Sequence, residues 1–292
     1  MSQSEVNQSL DGVSVMLCTP VRGGTSPSYN DAVEALMAWC RAQGVPIARR
    51  VAAEAPVDFA RDGLAAEFLA ATTDVGKPYT HCLMIDSGVG FGVESAKKLL
   101  MADEDFTAVA VPLRRSDIEK AAKTGDARNA TVFAIKLTQY SRETGKMRVV
   151  QKNGAALAEI DGIGAAMICV RRKVYERMFD AHPELRHRGG FRYFEPSVLD
   201  DDGESHVTKL RRAVEKALAA DSSTQARDML RAALAVDHEQ YEARGEDISF
   251  SMRWRRLHTE DKPAQVWMLC DAPVVHEGHG MFTGNIADAL GF

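Results

Sequence analysis

The chain has 292 residues, 45% of them hydrophobic and 26% charged, with a formal net charge of −5. This composition excludes wholesale disorder. The acidic balance excludes a nucleic-acid binder that relies on a basic surface overall, though not one with a local basic groove. Residues 1–12, MSQSEVNQSLDG, read as a disordered tail without an apolar signal region. No later apolar run reaches the ~18 residues of a membrane helix, so a cytoplasmic protein with no membrane partner is expected. VSVMLC (13–18) predicts a buried strand ending at Thr19-Pro20, followed by a turn-rich loop. Val33, Leu36, Met37 and Cys40 have helical spacing within 29–41. A strand over 45–52, a helix over 60–70, a strand over 80–86, a helix over 93–101 and a strand over 106–112 follow. Such alternation predicts a parallel sheet with helices on its faces, and ligands then bind beyond the carboxyl ends of the strands.

The second half reads differently. TVFAIKLTQYS (131–141) and GKMRVVQK (145–152) predict two antiparallel strands around a turn at 142–145. DGIG (161–164) leads into the apolar strand AAMICVRR (165–172), and VYERMF opens a helix. Between about 196 and 244, two sets of apolar residues at i, i+3, i+4, i+7, i+8 predict a helical hairpin inserted into the α/β frame. VWMLC (266–270) predicts a further strand. The five cysteines form no CxxC pair, and four sit in apolar runs, which fits buried reduced thiols.

Three features bear on chemistry. LMIDSG (83–88) puts Asp86 and Ser87 after a buried strand with Gly88 behind them, a way to hold a metal or phosphate-bound cation. Its bland reading is an Asp that caps the next helix. RGEDISF (244–250) puts Glu246 and Asp247 at the start of a helix whose Phe250, Trp254 and Leu257 share a face. Acids there are also stabilised by the helix dipole alone. VVHEGHG (274–280) sets His276 after a strand beside glycines, which suits a metal ligand or a phosphate contact.

Taken in order, these segments resemble the GT-A glycosyltransferases, in particular phage- and prophage-encoded nucleotide-sugar transferases. CTPVRGGTSPSYNDAV (18–33) resembles the first strand and base-holding loop, and DFARDGLAAEFL (58–69) the helix with an Arg-Asn pair, here Arg61-Asp62. THCLMIDSGVGF (80–91) resembles the strand ending in Asp-x-Asp, and VAVPLRR (109–115) the strand ending in Pro and basic residues. IDGIGAAMICVRRKVYERM (160–178) resembles the Gly-rich strand and its helix. GEDISFSMRWRRL (245–257) resembles the Glu-Asp acceptor helix, and VVHEGHGMFTGNI (274–286) the His-x-Gly segment. The resemblance covers about 13–195 and 244–290 and departs at Gly88, where the second Asp of Asp-x-Asp is missing.

The resemblance implies one GT-A-like α/β domain over 13–292, with a mixed, mainly parallel sheet, helices on both faces and the helical insertion at 196–244. It implies a nucleotide-sugar donor bound by Thr19, Pro20, Arg61, Asp86, Ser87, Arg114, Gly162 and Gly164. Mn²⁺ or Mg²⁺ would be held by Asp86 and His276. Asp247 would be the base, seconded by Glu246, in a direct displacement that inverts the anomeric carbon. The acceptor suggested is a hydroxymethylated pyrimidine in phage DNA. Lys209, Arg211, Arg212, Lys216, Arg227, Arg231, Arg253, Arg255 and Arg256 would contact phosphates. The alternatives are a degenerate sugar-nucleotide-binding module, a nucleotidyltransferase-like enzyme, or a transferase acting on a glycan, protein or lipid-linked acceptor.

Overall fold

The computed structural model of the chain describes residues 10–53, 55–116, 131–187, 190–195, 197–199, 214–217, 224–225, 242–257, 264–278 and 281–286. The first half runs β1 (Val15–Val21), α1 (Pro27–Ala42), β2 (Ile47–Ala53), α2 (Val57–Ala70), β3 (His81–Ile85), β4 (Val89–Phe91), α3 (Val93–Met101) and β5 (Phe106–Val109). There follow β6 (Pro112–Ser116), β7 (Thr131–Phe133), β8 (Ile135–Leu137), α4 (Gln139–Thr144), β9 (Val149–Lys152), β10 (Ala155–Ile163), β11 (Met167–Arg171) and α5 (Arg172–Ala181). The remainder comprises β12 (Arg186–His187), β13 (Gly190–Phe191), β14 (Ser197–Leu199), β15 (Glu242–Arg244), α6 (Glu246–Arg255), β16 (Val266–Leu269), β17 (Val274–Glu277) and β18 (Met281–Gly284).

Nine strands form the central sheet, in the order β2-β1-β3-β11-β5-β16-β10-β8 with β9 also on β10. Side chains alternate across it, so one sequence run feeds two cores. Met16, Cys18, Cys82 and Met84 pack with α2, α5 and α6 through Leu64, Phe68, Tyr175, Phe250 and Trp254. Val15, Leu17, Leu83 and Ile85 pack on the other face with α1 and α3 through Tyr29, Leu36, Leu99 and Leu100. The expectation of helices on both faces therefore holds.

The expected mainly parallel sheet does not. Parallel pairing joins β1 to β2, β1 to β3, and β5 to β16; β11 runs antiparallel between β3 and β5, and β10 antiparallel to β16, β8 and β9. The crossover through α3 leaves one slot open between β3 and β5. Strand β11 follows β10 after only residues 164–166 and keeps its direction, so it fills the slot antiparallel to β3 and β5.

Other boundaries shift as well. Strand β1 continues through Thr19 and Pro20 instead of ending there. The hairpin expected over 131–152 is absent. Thr138 caps α4 by accepting from the Ser141 N–H at 3.2 Å, and Gly145 ends it at φ 68°, in left-handed backbone that suits glycine. Strands β8 and β9 then pair with β10 instead of with each other. Residues 10–12, placed in the tail, form a turn that buries Leu10 in the α1 core. The predicted insertion over 196–244 falls mostly outside the described residues, within which 214–217 and 224–225 are helical. All five cysteines are buried and unbridged. No helix among the described residues is long and apolar enough to cross a membrane.

Candidate functional site

The site forms around one buried arginine. Arg61, on α2, is 3% exposed, and its two terminal nitrogens separate in direction. Nη2 donates to Asp86 Oδ1 at 2.8 Å, and Nη1 to Glu246 Oε1 at 2.7 Å. Helix α2 thereby ties the end of β3 to the first turn of α6. Burial alone would favour a neutral guanidine. The charges of Asp86, Asp247 and Glu246 outweigh it and hold Arg61 more firmly protonated than a free arginine. Glu246 moves the other way: burial, then Asp247 beside it, raise its carboxyl above the ordinary range against the pull of Arg61.

Asp247 follows on α6. Its Oδ1 accepts from the Ile248 N–H at 2.7 Å. A Cβ built on Gly164 would stand 3.2 Å from its Oδ2, so the Gly-rich lead-in to β11 packs directly against this carboxylate. Gly162 lies beneath the same helix, where a Cβ would meet Met252 Cγ at 3.3 Å. Ser251 locks the contact by accepting from the Ile163 N–H at 3.0 Å. These glycines bring β10 and α6 together. The resemblance implies them against donor or acceptor; the described contacts place them beside α6, the helix that carries Asp247.

Asp86 does not cap the next helix: α3 begins at Gly92 with no side-chain cap. The Asp86 N–H donates to the Ala166 carbonyl at 2.9 Å, and the Ser87 carbonyl accepts from the Ser26 N–H at 2.9 Å. His276, on β17, lies across from Val89 on β4. Its Nδ1 lies 2.7 Å from the Pro112 carbonyl oxygen. A carbonyl only accepts, so that nitrogen carries the proton and Nε2 keeps its lone pair. Burial, with Arg114 adding to it, lowers the His276 pKa against the opposing Pro112 carbonyl and Asp86, which favours the neutral ring. Arg114 is exposed and lies along Gly88 and Gly278.

Several expected binders are committed elsewhere. Thr19 is fully buried with its hydroxyl against the Tyr29 hydroxyl, and Pro20 is buried beside it in β1. Arg61 pairs with the Asp86 and Glu246 carboxylates. Arg253 is buried and donates to the Tyr193 and Glu195 carbonyls, and Arg255 pairs with Glu159 and Asp161, so neither presents a free phosphate-contacting face. Lys209, Arg211, Arg212, Arg227 and Arg231 lie outside the described residues, and Lys216 is exposed.

At the position the resemblance implies for Mn²⁺ or Mg²⁺, the described residues bring two guanidiniums beside one carboxylate. Asp86 is engaged by Arg61, Gly88 offers no carboxylate, and a second guanidinium, Arg114, lies along Gly88. No group of three metal-ligating side chains occurs among the described residues, whereas hard divalent ions take several oxygen ligands.

Sequence reading missed Arg192 and Phe194. Asp62 accepts from Arg192 Nε at 2.6 Å and from the Phe194 N–H at 2.8 Å, and the Phe194 ring faces Arg61 at 5.8 Å. The signal was the aromatic–basic run FRYFE (191–195), whose Arg192 and Phe194 N–H engage the Asp58 and Asp62 carboxylates in the first two turns of α2. A cavity of about 770 Å³ lies apart from these residues, lined by Ser28, Ala32, Phe91, Phe133 and Val275.

Compared with known proteins, the chain matches no family model, and no curated protein is significantly similar to it.

Proposed function

We propose that this chain is a GT-A-like glycosyltransferase that moves a sugar from a nucleotide-sugar donor to a hydroxyl acceptor. The observation that carries the reading is convergence. Asp86 at the end of β3 and Glu246 at the start of α6 are held by one guanidinium, with Asp247 next to Glu246 on α6 and His276 across from Val89, whose N–H donates to the Asp86 carbonyl. These are the strand-end acid, the helix acids and the histidine that the resemblance implies.

Glycosyl transfer needs a base for the acceptor hydroxyl, positive charge for the departing diphosphate, and fixed positions for both partners. In this reading Asp247 takes the acceptor proton. The resulting oxygen attacks the anomeric carbon as the bond from that carbon to the diphosphate oxygen breaks. The electron pair of that bond leaves with the nucleoside diphosphate, and the anomeric centre inverts. Glu246, fixed by Arg61, sets the start of α6 and so the placement of Asp247. Asp86, Ser87, Arg114 and His276 face the donor. The acceptor in this proposal is a hydroxymethylated pyrimidine in DNA, supported by the basic residues of the 196–244 segment, of which Lys216 is exposed. A base in a duplex would have to leave the stack to reach the anomeric carbon.

The test incubates the full chain with a panel of nucleotide sugars and measures nucleotide release and thermal shift. It then adds duplex DNA with and without hydroxymethylated bases and examines digested nucleosides by mass spectrometry. A glycosylated nucleoside is the expected result. Release without a modified base moves the acceptor elsewhere, and neither release nor thermal shift with any donor overturns the transferase reading.

A further inference from the structure

Gly88 stands where the resembled family carries its second carboxylate, and an arginine takes up the adjoining space. A Cβ on Gly88 would collide with the Arg114 guanidinium and stand 2.8 Å from the Glu277 carbonyl oxygen. A Cβ on Gly278 would stand 2.9 Å from Arg114 Cδ and 3.2 Å from its Nε. Two bare backbone positions, one after β3 and one after β17, therefore form the trough in which Arg114 lies. The Glu277 N–H donates to the Gly88 carbonyl at 2.7 Å and fixes the two walls together. His276 precedes Glu277 on β17 and lies across from Val89 on β4, beside that contact.

We propose that Arg114 binds the donor diphosphate directly and that the site works without a divalent cation. This rests on the nucleotide-sugar reading above. A guanidinium is permanently charged and presents a planar fork of N–H donors that matches two phosphate oxygens. It supplies positive charge where the leaving diphosphate gains negative charge. A divalent ion on Asp86 and His276 would have to sit beside that guanidinium, and two cations a few ångströms apart repel. The guanidinium supplies at this position the positive charge that a divalent ion would otherwise bring. The missing carboxylate is then no defect: any side chain at Gly88 would displace Arg114 and press on the Glu277 backbone.

The experiment is calorimetric titration of the full chain with UDP, GDP, CDP, ADP and dTDP, each with EDTA and with excess Mn²⁺, using wild type and Arg114→Gln. Arg114 is exposed, so the variant should keep the wild-type thermal midpoint, which is measured alongside. At least one diphosphate should bind wild type with the same Kd in both conditions, and Arg114→Gln should weaken it about 10- to 100-fold. Wild-type binding only with Mn²⁺ would overturn the inference and leave the donor reading intact. Unchanged binding by Arg114→Gln in EDTA would overturn it as well. No binding of any diphosphate in either condition would overturn the donor reading and this inference together.

Discussion

Replacing Arg61 with methionine tests whether one buried cation organises the site. The side chain is 3% exposed and pairs with two carboxylates that keep 23% and 22% exposure. Removing one member of a buried ion pair typically costs about 3–5 kcal/mol, because the remaining charges lose their partner. Water still reaches both carboxylates here, which places Arg61→Met at the lower end, about 3 kcal/mol. With a urea slope of about 3 kcal/mol per molar for a chain of this size, the unfolding midpoint should fall by about 1 M at unchanged slope. The triple variant Arg61→Met/Asp86→Asn/Glu246→Gln removes both carboxylates that pair directly with Arg61, leaves only the neighbouring Asp247 charge, and should recover most of the loss, to within about 1–2 kcal/mol of wild type. The deficit of Arg61→Met should also shrink in acid, as protonation removes the stranded charges. A single variant within about 0.5 kcal/mol of wild type, or a triple variant no more stable than the single, would refute the reasoning.

Asp247→Asn keeps the size of the proposed base and removes its basicity, so transfer to the acceptor should fall about 10²–10⁴-fold while diphosphate binding survives. Equal loss of both would assign Asp247 to folding or donor binding. Two glycines should respond oppositely to alanine. A Cβ on Gly90 would lie 2.5 Å from Ser28 Oγ and 2.6 Å from Ser28 Cβ, so Gly90→Ala should lose about 1–3 kcal/mol in chemical denaturation. Gly63 lies in α2 with nothing within 4 Å of its Cβ position, so Gly63→Ala should gain about 0.4–1 kcal/mol. Burial, against Arg192 and the Phe194 N–H, raises the Asp62 pKa from 3.8 to about 6. The folded protein then holds that proton more tightly than the unfolded chain, so the Asp62 contribution is fullest below about pH 4 and declines as pH rises through about 6. Thermal melts should show wild type losing stability relative to Asp62→Asn across that window, and a constant difference would contradict the shift.

Local pattern was legible in the sequence wherever it was set by near neighbours. Helix α3 matches its predicted span over 93–101, and β3 and β5 fall inside the predicted strands, because apolar periodicity records which side of an element is buried. The acids of α6 and the position of Asp86 at a strand end were readable for the same reason. What the sequence could not carry was direction and partnership. Strand β11 looks like any buried strand; the open slot between β3 and β5 sets its place, and the short link from β10 sets its antiparallel sense. The run at 139–144 was read as strand and turn, yet the Thr138 cap, the left-handed Gly145 and the competing edge of β10 make it a helix.

At the site, the residue types were visible and their engagements were not. Arg61 and Glu246 lie 185 positions apart, and nothing local to either says that they meet. An arginine at the open surface would be available to a phosphate. Burial changes its role, because desolvation forces it to take the nearest carboxylates as partners. Gly88 likewise reads in sequence as a missing ligand, and only the packing of β4, β6 and β17 shows that Arg114 occupies the space beside it. The sequence by itself determined which faces are buried and where charge clusters along the chain. The tertiary structure decided which charges neutralise one another, since that depends on distance and desolvation across elements with no near-neighbour signature.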